Sequence, residues 1–379
     1  MKVIHVCQSA DPNVGGSLVV ARALAAAQNN AGIDAWVFYL HRSPNDSSAA
    51  CEPKTRSLGI ERAKRYTSGI KELYQAFSAA RPDLIHHHDG LLWPRLASGQ
   101  LGVPLVTHGH LGSPKAYWPG FAQIAHYYAR KHTDRLIAMS ESVSASWVAS
   151  GFASERVRLV SHGVDTTRFR ARGRAQRDDM LQGIGLDPCR QILLWAGRLD
   201  RKTKGLDRLV RVLRLLPDDW SCIVGGDGGD RKWLENTIDA AGMKENSVAL
   251  LGKLDTPELW FGISDAFLFT SYCETFGLVL LEAAASELPI MAFPCEGGGK
   301  QILDILNAEM LADNLDLNLG GKFRDLLERP HTRANRRLIE EQFSWGEAAR
   351  KTIQVYQELL EERAATDANI HERRSDGHL

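Results

Sequence analysis

Short apolar runs alternate along the chain with longer stretches whose apolar positions recur every three or four residues. The runs Lys2–Val6, Ala35–Tyr39, Leu84–His86, Leu105–Thr107, Arg135–Ala138 and Val157–Val160 predict strands, and Ser17–Ala31 and Arg62–Ala80 predict helices between them. The pattern then restarts, with strands at Ile192–Trp195, Ser221–Val224, Ser247–Leu250, Ala266–Phe269 and Ile290–Ala292. Its helices are expected over Lys204–Leu216, Asp230–Ala241, Thr256–Ile263 and Gly277–Ser286. Buried strands alternating with helices make βαβ units, so the predicted class is α/β, with two doubly wound parallel sheets. The expected division is a first domain over 1–168, a polar linker over 169–190 without apolar periodicity, and a second domain over 191–344. A long helix over 345–362 and a polar, frayed tail over 363–379 would follow. Two such domains are expected to bind ligand in a cleft at the carboxyl ends of their strands.

The length of 379 residues suits two domains. A hydrophobic share of 44% and a charged share of 24% exclude a disordered or collagen-like chain. The 46 basic and 46 acidic residues cancel, which argues against a dedicated nucleic-acid binder. The balance is uneven, however. Residues 1–165 carry 17 Lys and Arg against 12 Asp and Glu, a surplus of +5, and 10 of the 13 histidines. That asymmetry points to an anionic partner for the first half, or to simple drift between domains. Cys7, Cys51, Cys189, Cys222, Cys273 and Cys295 form no CxxC pair, so neither a disulfide framework nor a zinc ribbon is expected, and a reducing cytosol fits. Lacking any long apolar run and opening on a strand pattern, the chain is expected to have neither a membrane span nor a signal peptide.

Five stretches carry candidate chemistry. Gly15-Gly16 precedes a helix, where glycines admit a ligand to the backbone and the helix start favours an anion, although many such pairs only make a turn. They do not make a GxGxxG fingerprint, so a nicotinamide dinucleotide is disfavoured. Gly197-Arg198-Leu199 ends a strand and Lys204-Gly205 opens a helix, so Arg198 and Lys204 can converge on a diphosphate or merely line a basic loop. In Ser271–Ala283, Glu274 sits in a loop, Gly277 allows a tight helix entry and Glu282 lies inside the helix, which offers two carboxylates and free amides to sugar hydroxyls and phosphate. His86-His87-His88-Asp89 and Thr107-His108-Gly109-His110 end two strands. Consecutive strand residues alternate faces, so His86–His88 cannot all ligate one metal, and a polar rim is expected there.

With these residues placed, the sequence resembles the retaining, nucleotide-sugar-dependent glycosyltransferases of family 4, which have the GT-B fold and a C-terminal crossover helix. The Glu-x7-Glu motif is matched by Glu274 and Glu282, and the phosphate segment by Gly197, Arg198, Leu199, Lys204 and Gly205. Ser161-His162-Gly163-Val164-Asp165 with Phe169, Gly226-Asp227-Gly228 and Phe343-Ser344-Trp345 match three further family segments. His162 departs from the usual Asn, and Gln301 from the usual Glu after Gly297-Gly298-Gly299-Lys300.

The resemblance implies that Arg198 and Lys204 neutralise a diphosphate leaving group, that Glu274 holds the donor sugar and Glu282 the ribose, and that His108 lies near sugar and acceptor, with His110 a weaker candidate. Gly15, Gly16, Gly197, Phe276, Gly277 and Leu278 would complete the donor site. Neither a metal nor a separate cofactor is implied. The implied reaction moves a hexose from a nucleotide-diphosphate sugar to a saccharide acceptor, expected to be lipid-linked, in cell-surface polysaccharide or glycan synthesis. Cytoplasmic placement is expected, and the basic amphipathic stretch Ile60–Ala80, bearing Arg62, Lys64, Arg65 and Lys71, would either attach the protein peripherally to an anionic membrane, meet an acceptor diphosphate, or form the solvated face of a soluble domain. The alternatives are a sugar epimerase of the same fold and a non-catalytic partner subunit.

Overall fold

The computed structural model describes residues 1–9, 16–41, 54–60, 69–88, 93–110, 131–243, 247–313, 319–328 and 332–375. The chain divides into two compact units, one of Met1–His162 with Trp345–Leu379 and one of Gly163–Ser344.

The first unit is built on strands β1 (Lys2–Ser9), β2 (Asp34–His41), β3 (Lys54–Ser57), β4 (Leu84–His87), β5 (Leu105–Gly109), β6 (Arg135–Ala138) and β7 (Val157–Leu159). All pairings are parallel, in the order β3-β2-β1-β4-β5-β6-β7. On one face Ile4, Val6, Phe38, Ile85 and Leu105 pack against Leu73 and Phe77 of the helix Gly69–Ala80. On the other, Val3, Leu84, Val106, Ile137 and Val160 pack against Val355, Tyr356 and Leu359 of the last helix. A buried aromatic such as Phe77 contributes about 3–5 kcal/mol by the cost of its truncation to Ala.

The second unit holds β8 (Gln191–Ala196), β9 (Trp220–Gly225), β10 (Val248–Gly252), β11 (Ala266–Phe269), β13 (Ile290–Ala292) and β15 (Glu309–Met310), parallel in the order β10-β9-β8-β11-β13-β15. A separate short pair joins β12 (Cys273–Glu274) to β14 (Glu296–Gly297). The core gathers Leu193, Trp195, Leu209, Trp220, Leu268 and Phe323. Both units therefore meet the expectation of doubly wound parallel sheets. The edge strands β3 and β15 were not foreseen, because Lys54–Ser57 is exposed and polar and β15 is only two residues long.

Three expectations are corrected. Residues 169–190 are not a linker but an integral part of the second unit, which begins at Gly163. They include the helix Arg174–Gly183, and Arg177 donates to the carbonyls of Ile263 (3.1 Å), Pro188 (2.7 Å) and Arg190 (2.8 Å) and to Asp265 (2.8 Å). Arg177 and three widely spaced buried residues, Phe169, Leu181 and Leu186, anchor the segment, so apolar periodicity is absent. The tail over 363–379 does not fray at 363, since the last helix runs Trp345–Ser375, through residues rich in Glu, Arg and Ala, which favour helix. That helix returns to the first unit, where Ala348 and Ala349 pack on Leu24 and Glu362 pairs with Arg135. Finally, the apolar stripe of Gly69–Ala80 is spent on the sheet, which leaves it no apolar face for a bilayer. Lys71 is exposed on this helix, while Arg62, Lys64 and Arg65 lie outside the described residues. Among the described residues no helix is long and apolar enough to cross a membrane.

Candidate functional site

In each sheet the strand order reverses once, between β1 and β4 and between β8 and β11. Open α/β sheets bind ligands outside the carboxyl ends of strands at such a reversal. The two clusters of candidate residues lie at these two points.

In the second unit, the loop leaving β8 is held by backbone contacts that only glycine permits. Gly197 donates to the Gly225 carbonyl at 2.9 Å, and a Cβ on Gly226 would lie 1.7 Å from the Gly197 carbonyl oxygen. Asp200 accepts from the amides of Lys202 (3.0 Å) and Thr203 (3.3 Å), which shapes the short turn carrying Lys204. Arg198 projects from that loop, two-thirds exposed, with one nitrogen 3.4 Å from Asp200. Gly205 has φ +64°, and a Cβ there would lie 2.2 Å from the Thr270 carbonyl oxygen. Thr270 ties the two loops together, donating to the Lys204 carbonyl (2.6 Å) and accepting from the Trp195 indole (2.8 Å). Gly205→Ala is expected to destabilise the fold by at least about 2 kcal/mol, through the clash and the left-handed backbone together, as read from urea unfolding.

The loop leaving β11 brings Glu274 onto Lys204. The ammonium donates to one carboxylate oxygen, which also accepts from the Ser271 hydroxyl at 2.8 Å. Close passage of the next glycine run makes room for this loop, because a Cβ on Gly297 would lie 2.4 Å from the Glu274 carbonyl oxygen. Gly277, at φ +100°, turns the chain into the helix Leu278–Ala285, whose first amides lack intrahelical partners. Phe276 is buried, its ring 6.5 Å from that of Phe343, so its side chain belongs to the core. Glu282 is hemmed in by protein although partly open to solvent. Burial pushes its carboxyl up to about 7, the Arg168 charge pulls the other way and Glu258 adds to the rise. Arg208 was not foreseen. It is buried, paired with Asp313 through two contacts (2.7 and 2.9 Å), and it donates to the carbonyls of Thr270 (3.2 Å) and Pro294 (2.9 Å). It therefore fixes the backbone from which the Glu274 loop departs.

In the first unit, six imidazoles collect on one face of the sheet at the β1–β4–β5 end. His5, His86, His88, His108 and His162 are buried, and His110 is half-buried. Two hydrogen-bonded chains run through them. One links Gln28 Oε1 to His5 (2.7 Å), His5 to His88 (2.8 Å) and His88 to His110 (3.0 Å). The other links the Tyr356 hydroxyl to His86, His86 to His108 (3.2 Å) and His108 to His162 (3.1 Å). Gln28 joins the chains by donating to Tyr356 at 3.1 Å. Burial lowers all six imidazole pKa values, His5 to about 4, so the rings are neutral at pH 7. The expectation that His86, His87 and His88 alternate faces holds for the run itself. What it missed is that β1 and the end of β5 place His5, His108 and His110 beside His86 and His88, with His162 packed on His108 and His110.

The structure thus brings Gly197, Arg198, Lys204, Glu274, Gly277, Leu278 and Glu282 to the β8–β11 end of the second unit. His108 and His110 lie together at the corresponding end of the first. Gly16 starts the helix Gly16–Asn30 with open space around its Cα, while Gly15 and Asp89 lie outside the described residues.

Comparison with known proteins fits this arrangement. The model of "Glycosyltransferase Family 4" matches residues 14–168 and that of "Glycosyl transferases group 1" matches residues 176–352. The D-inositol 3-phosphate glycosyltransferase 1 of Catenulispora acidiphila is 30% identical, over 74% of this chain and 73% of that protein. The D-inositol 3-phosphate glycosyltransferase of Pseudarthrobacter chlorophenolicus is 27% identical, over 98% of this chain and 94% of its own. Among solved structures, Anabaena Alr3699/HepE in complex with UDP and glucose superposes with a TM-score of 0.79 at 19% identity, covering 94% of this chain and 99% of that one. On this evidence the chain belongs to the family 4 glycosyltransferases and has the GT-B fold.

Proposed function

We propose that this glycosyltransferase moves a hexose from a nucleoside-diphosphate sugar to a saccharide acceptor with retention of the anomeric configuration. The observation that carries this reading is the convergence of Arg198, Lys204, Glu274 and the Leu278 helix start at one strand-order reversal. Arg198 and Lys204 supply positive charge where a departing diphosphate gains negative charge, while the helix start offers amides to the same phosphates. Glu274, fixed by Lys204 and Ser271, would accept hydrogen bonds from hydroxyls of the donor sugar, and Glu282 from those of the ribose. The sugar left behind is oxocarbenium-like, as in glycoside chemistry generally. The solved relative in complex with UDP and glucose supports a uridine nucleotide as the first donor to try.

The charge work at the diphosphate is assigned to side chains and amides, so added Mg2+ or Mn2+ is expected to leave turnover unchanged. A several-fold activation by either ion would contradict that assignment. For the acceptor, the inositol phosphate named in the relatives is the first soluble candidate, and a lipid-linked saccharide is the second. Attachment to an anionic leaflet would rest on charge alone, each basic residue near the surface contributing about 1 kcal/mol. Cosedimentation with anionic vesicles at low salt, lost at high salt, is the outcome that supports it. The test of the main reading is a panel of nucleotide-sugars, read for hydrolysis and transfer, with the product anomer assigned by NMR. Retention is expected, and inversion would overturn the proposed stereochemistry.

A further inference from the structure

We propose that the histidine cluster of the first unit binds one divalent transition-metal ion of the zinc class through His88, His108 and His110. Each of these residues offers a ring nitrogen that lies within 4.8 Å of the other two. The His88 Nδ1 to His110 Nε2 separation is 3.0 Å. Two nitrogens on a tetrahedral zinc stand about 3.3 Å apart, given bonds of about 2.0–2.1 Å, so ring movements of a few tenths of an ångström would convert this contact into a ligand pair.

The chemistry of the donor set selects the ion. Imidazoles alone suit zinc, cobalt, nickel and copper, whereas magnesium and calcium need oxygen ligands, and none is supplied by the three residues. Coordination requires a neutral ring with a lone pair, and the surroundings provide one. Gln28 Oε1 accepts from His5 Nε2 at 2.7 Å, so the hydrogen on His5 lies on that side. His5 Nδ1 must then accept from His88 Nε2 at 2.8 Å, which leaves the His88 Nδ1 lone pair facing His110. Hydrogen-bonded partners behind a ligand orient it and fix its tautomer in this way. On ion entry, the hydrogen shared between His88 and His110 moves to the outer nitrogen of His110, and His108 exchanges one of its two ring contacts, with His86 or His162, for the ion. A second triad, His5, His86 and His88, also has its nitrogens within 4.8 Å, but all three of its rings are fully buried. The outer triad includes half-buried His110, which gives an ion a way in, and three ligands leave a fourth position for water.

This inference is independent of the transfer reaction and is tested without an activity assay. Protein free of any affinity tag is dialysed against micromolar Zn2+, desalted and assayed for metal by plasma emission. About one zinc per chain is expected, falling at least about tenfold in a His88→Asn, His110→Asn double variant, while His132→Asn outside the cluster keeps the full amount. If the double variant misfolds, Co2+ titration of the wild-type protein gives a second readout. Visible ligand-field bands of nitrogen-ligated, four-coordinate cobalt, displaced by Zn2+, are expected. Wild-type protein that retains no zinc and gives no cobalt bands would overturn the proposal, as would zinc retained equally by a folded double variant.

Discussion

Arg198→Ala and Lys204→Ala are each expected to lower kcat/KM for the nucleotide-sugar by about two to three powers of ten, the scale of one lost donor to charge that develops in the transition state. Arg198 is two-thirds exposed and its contact with Asp200 is 3.4 Å long, so its removal should change stability by less than about 0.5 kcal/mol. Lys204 also holds Glu274, which leaves its alanine variant with a second defect. The carboxylate would keep only the Ser271 hydroxyl, and the donor sugar should be less well ordered. Lys204→Arg restores the charge but not the reach of a slender ammonium, and should recover only part of the loss. Steady-state kinetics with urea melts on the same samples separates chemistry from folding. Wild-type turnover in Lys204→Ala would remove the diphosphate assignment.

The second large effect is a pH dependence of nucleotide affinity. Glu282 has its carboxyl pushed up to about 7 by burial. If ribose hydroxyls bind the carboxylate, the competent fraction falls about tenfold between pH 8 and pH 6, and the apparent Kd for nucleotide rises by the same factor. Glu282→Gln should bind weakly at every pH and show no such slope. The sign for stability is opposite. A carboxyl whose folded value lies above its unfolded value of 4.5 weighs against the fold as pH rises from about 4.5 to about 7, and fully above that. Glu282→Gln should therefore melt higher than the wild-type protein at pH 8 while losing its ligand. Calorimetric titration at several pH values measures the first effect and thermal melting the second. A flat Kd in the wild-type protein would place the ribose elsewhere.

Much of this was legible in the chain because the information is local. Most strands of both sheets are short apolar runs, and the candidate residues Gly197, Arg198 and Glu274 sit in the segments that directly follow β8 and β11. Glycine also announces itself, since Gly205 and Gly277 adopt backbone that other residues avoid. What stayed hidden depends on long-range packing. Arg208 looks like any helix-surface arginine until the fold places Asp313 and the Thr270 carbonyl beside it. Residues 169–190 look like a linker because their buried residues, Phe169, Leu181 and Leu186, are too far apart to make a period, and the hydrogen bonds of Arg177 are invisible in the sequence.

The histidine cluster was half visible. On β1, β4 and β5, and just after β7, an apolar residue facing the last helix is followed two positions later by histidine: Val3 and His5, Leu84 and His86, Val106 and His108, Val160 and His162. A period of two puts each pair on one face. Reading His86–His88 as an isolated run concealed this, whereas comparing successive strands would have exposed it.

The most direct measurement of the donor-site assignment is a thermal-melting titration of wild-type protein and the Lys204→Ala variant with uridine mono- and diphosphate. Ligands that bind only the folded state raise the melting temperature with their affinity. If Arg198 and Lys204 grip the diphosphate, UDP should stabilise the wild-type protein well beyond UMP, and the increment between the two should vanish in Lys204→Ala. Equal shifts from UMP and UDP in the wild-type protein, or an increment that survives in Lys204→Ala, would contradict it.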